Sequence, residues 1–184
     1  SEFEKGTFAN LLDKTSNVFV LISIKVLPFL LMSVGIYALY YGFANWYRMP
    51  ISMDIMPFLG ASMLFVLAVS FIGICVSVLI PSQLKATEIL MVIATPSFIL
   101  SGFTWPLSQM PAWVVSIANV IPLTHYLKIF RTLVIEQGDM QVVASSYWAL
   151  ALIAGLSLLL SVGSLYWKIR QLKGAVKAAS TAEE

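Results

Sequence analysis

The sequence predicts an all-α, polytopic transmembrane bundle of about four spans, with a short amphipathic helix ahead of them and a helical hairpin dipping into the outer leaflet. Three observations carry this. Hydrophobic residues make up 59% of the 184 and charged residues only 11%, too little charge to cover a soluble domain of this size. The mean hydropathy is +0.89. The charges are also separated by long uncharged runs, each able to hold the ~20 apolar residues that a spanning helix needs.

Those runs set the elements in order. Between Lys25 and Arg48 lie 22 uncharged residues, between Asp54 and Lys85 lie 30, and between Asp139 and Lys168 lie 28. Each reads as one span, near residues 26–47, 57–80 and 144–167. The gap from Glu88 to Lys128 holds 39 residues and has room for two crossings. Pro106, Pro111 and Pro122 cut its second half into pieces too short to cross. One span near 84–105 therefore remains, followed by a broken segment at 106–138.

Orientation follows from the basic residues. With four spans, Lys5, Lys14, Lys25, Lys85, Lys168, Arg170, Lys173 and Lys177 share one side, against Arg48, Lys128 and Arg131 on the other. That asymmetry predicts both ends in the cytoplasm. Trp46, Tyr47, Trp105, Trp113, Tyr147 and Trp148 then mark the outer interface, and Tyr166 and Trp167 the inner one. The first 16 residues carry Glu2, Glu4, Lys5, Asp13 and Lys14, so they do not read as a cleavable signal peptide.

Two segments are neither span nor simple loop. Residues 7–16 suit a short amphipathic helix on the cytoplasmic surface, with Thr7 as N-cap and Phe8, Leu11 and Leu12 at helical spacing. Outside, 111–120 has room for two or three turns. After Pro122, Thr124 is placed to cap a second helix running through Ile135, with Gly138 just past its end. Lys128 and Arg131 are three apart and share a face. In the third span Pro96 should kink the helix or locally free a carbonyl that Thr95, Ser97 or Ser101 is placed to satisfy. Gly73 with Ser77, and Ala151 with Gly155, have the four-residue small spacing of close helix contacts.

Residues able to carry chemistry are few. The span interiors contain no Asp, Glu, Lys or Arg, which argues against ion coupling through a buried carboxylate. His125 is the single histidine and Cys75 the single cysteine, so neither a His-based metal cluster nor an internal disulfide is expected. His125 reads as an interfacial or helix-start residue and Cys75 as a small hydrophobe. The sequence contains no G-x-x-x-x-G-K followed by Ser or Thr, so ATP hydrolysis, where required, belongs to another subunit. The small net charge of +2 gives no reason to expect nucleic acid.

The stretch Leu100-Ser101-Gly102-Phe103-Thr104-Trp105-Pro106-Leu107-Ser108-Gln109-Met110-Pro111-Ala112-Trp113 resembles the signature of ABC type-2 exporter permeases. There an apolar span ends in Ser-Gly, followed by a proline and then a Met-Pro pair. The match continues through Ile121-Pro122-Leu123-Thr124-His125-Tyr126 to Arg131, with Gly138 beyond. The opening Glu2-Phe3-Glu4-Lys5-Gly6-Thr7 looks like the family's cytoplasmic coupling segment. Order and spacing agree from the first residue to about Arg170.

The resemblance implies the C-terminal part of a permease, covering spans three to six. It comprises a coupling segment (1–16), a transmembrane domain (17–170) and a cytoplasmic tail (171–184). It further implies an ATPase-facing site at Glu2, Glu4, Lys5, Gly6 and Thr7. Gly102, Pro106, Met110, Pro111, Pro122 and Arg131 become structural or gating positions of the outer hairpin. The chain would act as a transport subunit of the cytoplasmic membrane, with an ABC ATPase, a second permease copy and membrane lipid as partners. It would hold no cofactor of its own, ATP and Mg being bound by the ATPase. The apolar walls favour a hydrophobic or amphipathic cargo. Two alternatives are a membrane-embedded lipid-modifying enzyme using His125, Lys128 and Arg131, and a non-catalytic membrane assembly protein.

Overall fold

A computed structural model describes residues 18–47, 55–80, 82–136 and 138–180. Among them there is no strand. The elements are α1 (Val18–Trp46), α2 (Ile55–Leu79), α3 (Gln83–Leu100), a 3₁₀ turn (Leu107–Gln109), α4 (Ala112–Ala118), α5 (Pro122–Phe130) continued by a π-helical turn (Arg131–Ile135), and α6 (Met140–Ser180). The coupling segment 1–16 lies outside the described residues, as do 48–54 and 181–184.

Helix α2 is the central post and packs most extensively along α6, then against α1 and α5. Two apolar clusters fix the relative directions. At one end, Leu21, Ile22 and Val26 of α1 meet Phe71, Ile74 and Val78 of α2 and Leu165 and Ile169 of α6. At the other, Ala61 of α2 meets Ile129 and Leu133 of the hairpin and Val143 and Leu150 of α6. The first halves of α2 and α6 thus lie together, as do their second halves, so the two run parallel and α1 runs antiparallel to both. Between the clusters, the Ser161 hydroxyl of α6 donates to the Phe71 carbonyl of α2, a polar stitch of the kind that joins helices in lipid.

This arrangement dictates the path of α3. The chain leaves α2 at Leu79, starts α3 at Gln83, and must deliver the hairpin to the opposite end of α2. Helix α3 therefore runs back along the bundle toward that end. Its 18 residues give ~27 Å of rise, and it carries Lys85 and Glu88 in its first two turns. Three helices, Val18–Trp46, Met56–Leu79 and Met140–Gln171, are long and apolar enough to cross a membrane by themselves. The chain is a multi-pass membrane protein.

Charge gaps place the helix ends too far inward. Helix α1 starts at Val18 and takes in Lys25, for 29 residues and ~43 Å. Helix α6 runs 41 residues to Ser180, through Lys168 and Arg170. A basic residue at a span's edge need not end the helix, because its aliphatic stem lies along the apolar surface while the charge reaches the headgroups. Helix α1 also contains Pro28, which has no N–H to return to the Ile24 carbonyl. Such a break is tolerated in a membrane helix when neighbours shield it.

Two local expectations are corrected. The hydroxyls of Thr95, Ser97 and Ser101 donate to the carbonyls of Met91, Ile93 and Phe98, not to Val92, the acceptor that Pro96 leaves without its usual donor. The small-residue faces are also displaced. A Cβ at Gly73 or Gly155 would meet nothing within 4 Å. The close-packed small side chains are instead Ala61, Ala68, Ala154 and Ser161, all buried. Four-residue spacing recurs by chance in spans rich in Gly, Ala and Ser, and only the packing selects which face is used.

Candidate functional site

Past α3 the chain folds back on itself. Gly102 has φ +84°, a left-handed conformation that a Cβ disfavours, and a Cβ there would come within 3.1 Å of Leu107 Cγ. The chain can thus reverse and close over the Leu107 side chain. Pro106 precedes the 3₁₀ turn at φ −59°, and Pro111 occupies the N-cap position of α4 at φ −56°; neither position has an intrahelical acceptor for an N–H, so proline costs nothing there. Met110, between them, is buried.

Helix α4 has 7 residues, and α5 with its π turn covers 14 (122–135). The two meet at 91°. By helical rise they are ~10 and ~21 Å long, each too short for a ~30 Å hydrocarbon core. Pro122 begins α5 as its first helical residue, and Ile121 takes the N-cap position with no side-chain cap. Thr124 is therefore not the cap; it lies inside the first turn, buried, with its hydroxyl unpartnered. Proline at N1 fixed the start three residues earlier than a Thr cap would have.

Helix α5 turns one face into the bundle. Tyr126, Ile129, Phe130 and Leu133, at helical spacing, pack on α2 and α6 or on the rings there. Tyr126 stacks on Phe65, centroids 4.6 Å apart and planes 15° from parallel, while Phe130 lies 5.9 Å from Phe58. Phe58 precedes Phe65 on α2, so α5 climbs back toward the start of α2 as α2 descends. Phe65 is ten residues past Ile55, so Tyr126 sits ~15 Å along α2 from its start, with the hairpin tip about a turn farther on. The segment 106–138 enters and leaves at one end of the bundle.

A small polar network lies inside this contact. The Tyr126 and Tyr37 hydroxyls are 3.1 Å apart. Ser62, fully buried, directs its hydroxyl to the Phe58 carbonyl at 2.8 Å, with Tyr126 Oη at 3.5 Å. The Tyr37 ring meets Phe58 edge to face at 5.8 Å. Sequence reasoning missed Tyr37, Phe58, Ser62 and Phe65. Tyr37 and Tyr126 are separated by 89 residues, and nothing in an apolar span marks which residue will face the hairpin. The stripe from Tyr126 to Leu133 was the available signal.

The remaining predicted residues spread around the hairpin. Lys128 and Arg131 are both exposed on the side of α5 away from this stripe. Arg131 opens the π turn, its carbonyl accepting the Glu136 N–H at 3.0 Å. Gly138 closes it: its N–H reaches the Thr132 carbonyl at 2.8 Å, and a Cβ there would lie 2.8 Å from Thr132 Cγ2. His125 Nε2 is 2.8 Å from the Asn119 carbonyl, spanning the break between α4 and α5. Tyr147, predicted as an interface aromatic, instead lays its hydroxyl against Gly60. Trp113 and Trp148 are exposed, as a belt residue would be. Glu2, Glu4, Lys5, Gly6 and Thr7 lie outside the described residues.

Comparison with known proteins gives a consistent result. Residues 1–135 match the family described as ABC-2 type transporter. Over 153 residues, 83% of this chain and 42% of the relative, it is 24% identical to the probable multidrug ABC transporter permease YbhR of Escherichia coli strain K12. It is 28% identical over 118 residues to ABC transporter G family member 20 of Dictyostelium discoideum, covering 60% of this chain and 15% of that protein. It is 27% identical over 104 residues to Nodulation protein J of Rhizobium leguminosarum bv. viciae, covering 56% and 38%. No solved structure matches the chain. The chain thus spans less than half the length of the first of these relatives. With a family match over 135 residues on an all-helical, multi-pass bundle, the chain belongs to the ABC-2 type transporter family.

Proposed function

We propose that this chain is the C-terminal part of the membrane-spanning permease subunit of an ATP-driven exporter, moving a hydrophobic or amphipathic substrate across the cytoplasmic membrane. The observation that carries the reading is the family match on a chain whose hairpin packs against its spans at one end only. The apolar span interiors favour such a cargo, and the Escherichia coli relative is named a probable multidrug permease. The sequence has no phosphate-binding loop, so in this reading an ABC ATPase subunit binds ATP and Mg. A second permease copy completes the pathway, and lipid surrounds both. Both ends of the chain lie in the cytoplasm, and α3 is the third of four spans here.

In this reading Glu2, Glu4, Lys5, Gly6 and Thr7 meet the ATPase. Nucleotide in the partner favours one conformation, and the bias reaches the spans through that contact. Gly102, Pro106, Met110, Pro111, Pro122 and Arg131 shape an outer hairpin that closes the far end of the pathway. The test is efflux from proteoliposomes holding the full-length permease and its ATPase, loaded with a lipophilic fluorescent cation. ATP-dependent loss of dye, abolished by a hydrolysis-dead ATPase, is expected. Equal loss with the dead ATPase, for this dye and for an amphipathic anion, would remove the exporter reading.

A further inference from the structure

The break between α4 and α5 takes carbonyls out of the helical ladder, and that of Asn119 has a side-chain partner instead. Across it, the Asn119, Val120 and Ile121 N–H groups donate back to Val115, Ile117 and Ala118, and the Thr124 N–H donates to Ile121. In a continuing helix the Asn119 carbonyl would accept from residue 123, but the chain has turned by 91°. His125 takes that place, with Nε2 at 2.8 Å. A carbonyl only accepts, so Nε2 carries the proton and donates. This satisfies a helix-end acceptor that has lost its helical donor.

The next residue holds the other side. Tyr126 stacks on Phe65 of α2 and meets the Tyr37 hydroxyl of α1 and the Ser62 hydroxyl of α2. Consecutive helical residues point about 100° apart, so the two side chains cannot serve one face. The first turn of α5 therefore grips α4 with one residue and the α1–α2 pair with the next. Among the described residues, α4 otherwise packs chiefly on α3.

We propose that His125 and Tyr126 act as a coupler: Tyr126 ties α5 to α1 and α2, His125 ties α4 to α5, and α4 therefore follows displacements of α1 and α2. His125 is a positioning residue in this scheme. Its consequence for transport rests on the exporter reading, in which α4 belongs to the outer closure and α1 follows the ATPase-facing segment. The bond is a direct mechanical link, because among the described residues no other side-chain hydrogen bond crosses the break.

The experiment measures distance between spin labels in the full-length permease with its ATPase bound. The background has its native cysteines, Cys75 among them, replaced by Ser, and the labelled copy is diluted with unlabelled permease to remove intersubunit pairs. Labels at Ile117→Cys on α4 and Leu39→Cys on α1 report the coupling; Leu39→Cys with Leu152→Cys on α6 is the control. All three sites are exposed. His125→Ala should broaden the α4–α1 distribution about twofold, since a locally freed segment samples more states, and leave the control unchanged. His125→Gln, which keeps a donor, should restore it; His125→Phe, which keeps the ring without the donor, should not. A distribution as narrow in His125→Phe as in the parent overturns the coupler. Broadening of the control pair in both the Ala and Phe variants also overturns it, because the role is then general packing. The distances read the coupler whether or not the protein exports. Failed ATP-driven efflux beside an intact His125 effect would remove the exporter reading alone.

Discussion

Tyr126 lies flat on Phe65, centroids 4.6 Å apart, while its hydroxyl sits 3.1 Å from that of Tyr37. One side chain of the hairpin thereby joins two helices of the bundle by two different forces. The ring contributes apolar burial and stacking, and the hydroxyl satisfies polar groups that have no water to turn to. The two contributions differ in size. Tyr126→Ala should lower stability by about 3–5 kcal/mol, and Tyr126→Phe by only about 1 kcal/mol. Equilibrium unfolding in mixed micelles measures both. If Phe costs as much as Ala, the hydroxyl network and not the stack holds the hairpin.

Gly138 is expected to be intolerant for a reason that a second substitution can remove. Its missing Cβ would lie 2.8 Å from Thr132 Cγ2. Gly138→Ala should destabilise by about 1–3 kcal/mol through overpacking. Thr132→Ser deletes that methyl, so the double variant should recover most of the loss in a double-mutant cycle. Additive effects would show that the approach to Thr132 Cγ2 is not what excludes a side chain at Gly138.

The positions where small residues matter can be separated from those where they do not. Ala61 is fully buried within the cluster formed by Ile129, Leu133, Val143 and Leu150. Ala61→Leu should cost about 1–3 kcal/mol. Gly155 has open space around its absent Cβ, so Gly155→Ala should be neutral or stabilising by up to about 1 kcal/mol through helix propensity. Thermal inactivation of the purified permease compares them. A Gly155→Ala loss matching that of Ala61→Leu would mean that α6 has a partner at that face.

Spin labels at consecutive positions 112–120 should show helical periodicity in lipid exposure. Trp113, Ile117 and Val120 are exposed and Ala118 is buried, so contact with a lipid-soluble relaxant should peak at 113, 117 and 120 and fall at 118. Depth should never pass the bilayer centre. Uniform water exposure across the nine positions would make the segment an aqueous loop.

The sequence made some of this legible through physics that acts over a few residues. Uncharged runs and interrupting prolines disclosed the helical class, the path of the chain and the hairpin, because burial in lipid and loss of an N–H are local constraints. Helix ends were less legible, since Lys25 and Lys168 lie within helices that a count of charges would stop. The start of α5 went wrong because Pro122 at N1 outranked Thr124 as a cap. Contacts between distant segments were not legible. Tyr37 and Ser62 are ordinary span residues until α5 is laid against them, and the choice of Ala61 over Gly73 as a packing site depends on that geometry.

Residues 106–138 are expected to enter and leave the membrane on one side, opposite the α2–α3 turn. Single cysteines at Ser82, Gln109 and Gln137, in a background whose native cysteines including Cys75 are replaced by Ser, test this most directly, using a membrane-impermeant maleimide on intact cells and on inverted vesicles. Gln109, exposed between α3 and α4, is the deciding position. Gln109 and Gln137 should label only from outside and Ser82 only from inside. Labelling of Gln109 from the same side as Ser82, with Gln137 opposite, would mean that the bent pair crosses the membrane and α3 does not, and the re-entrant hairpin would be wrong.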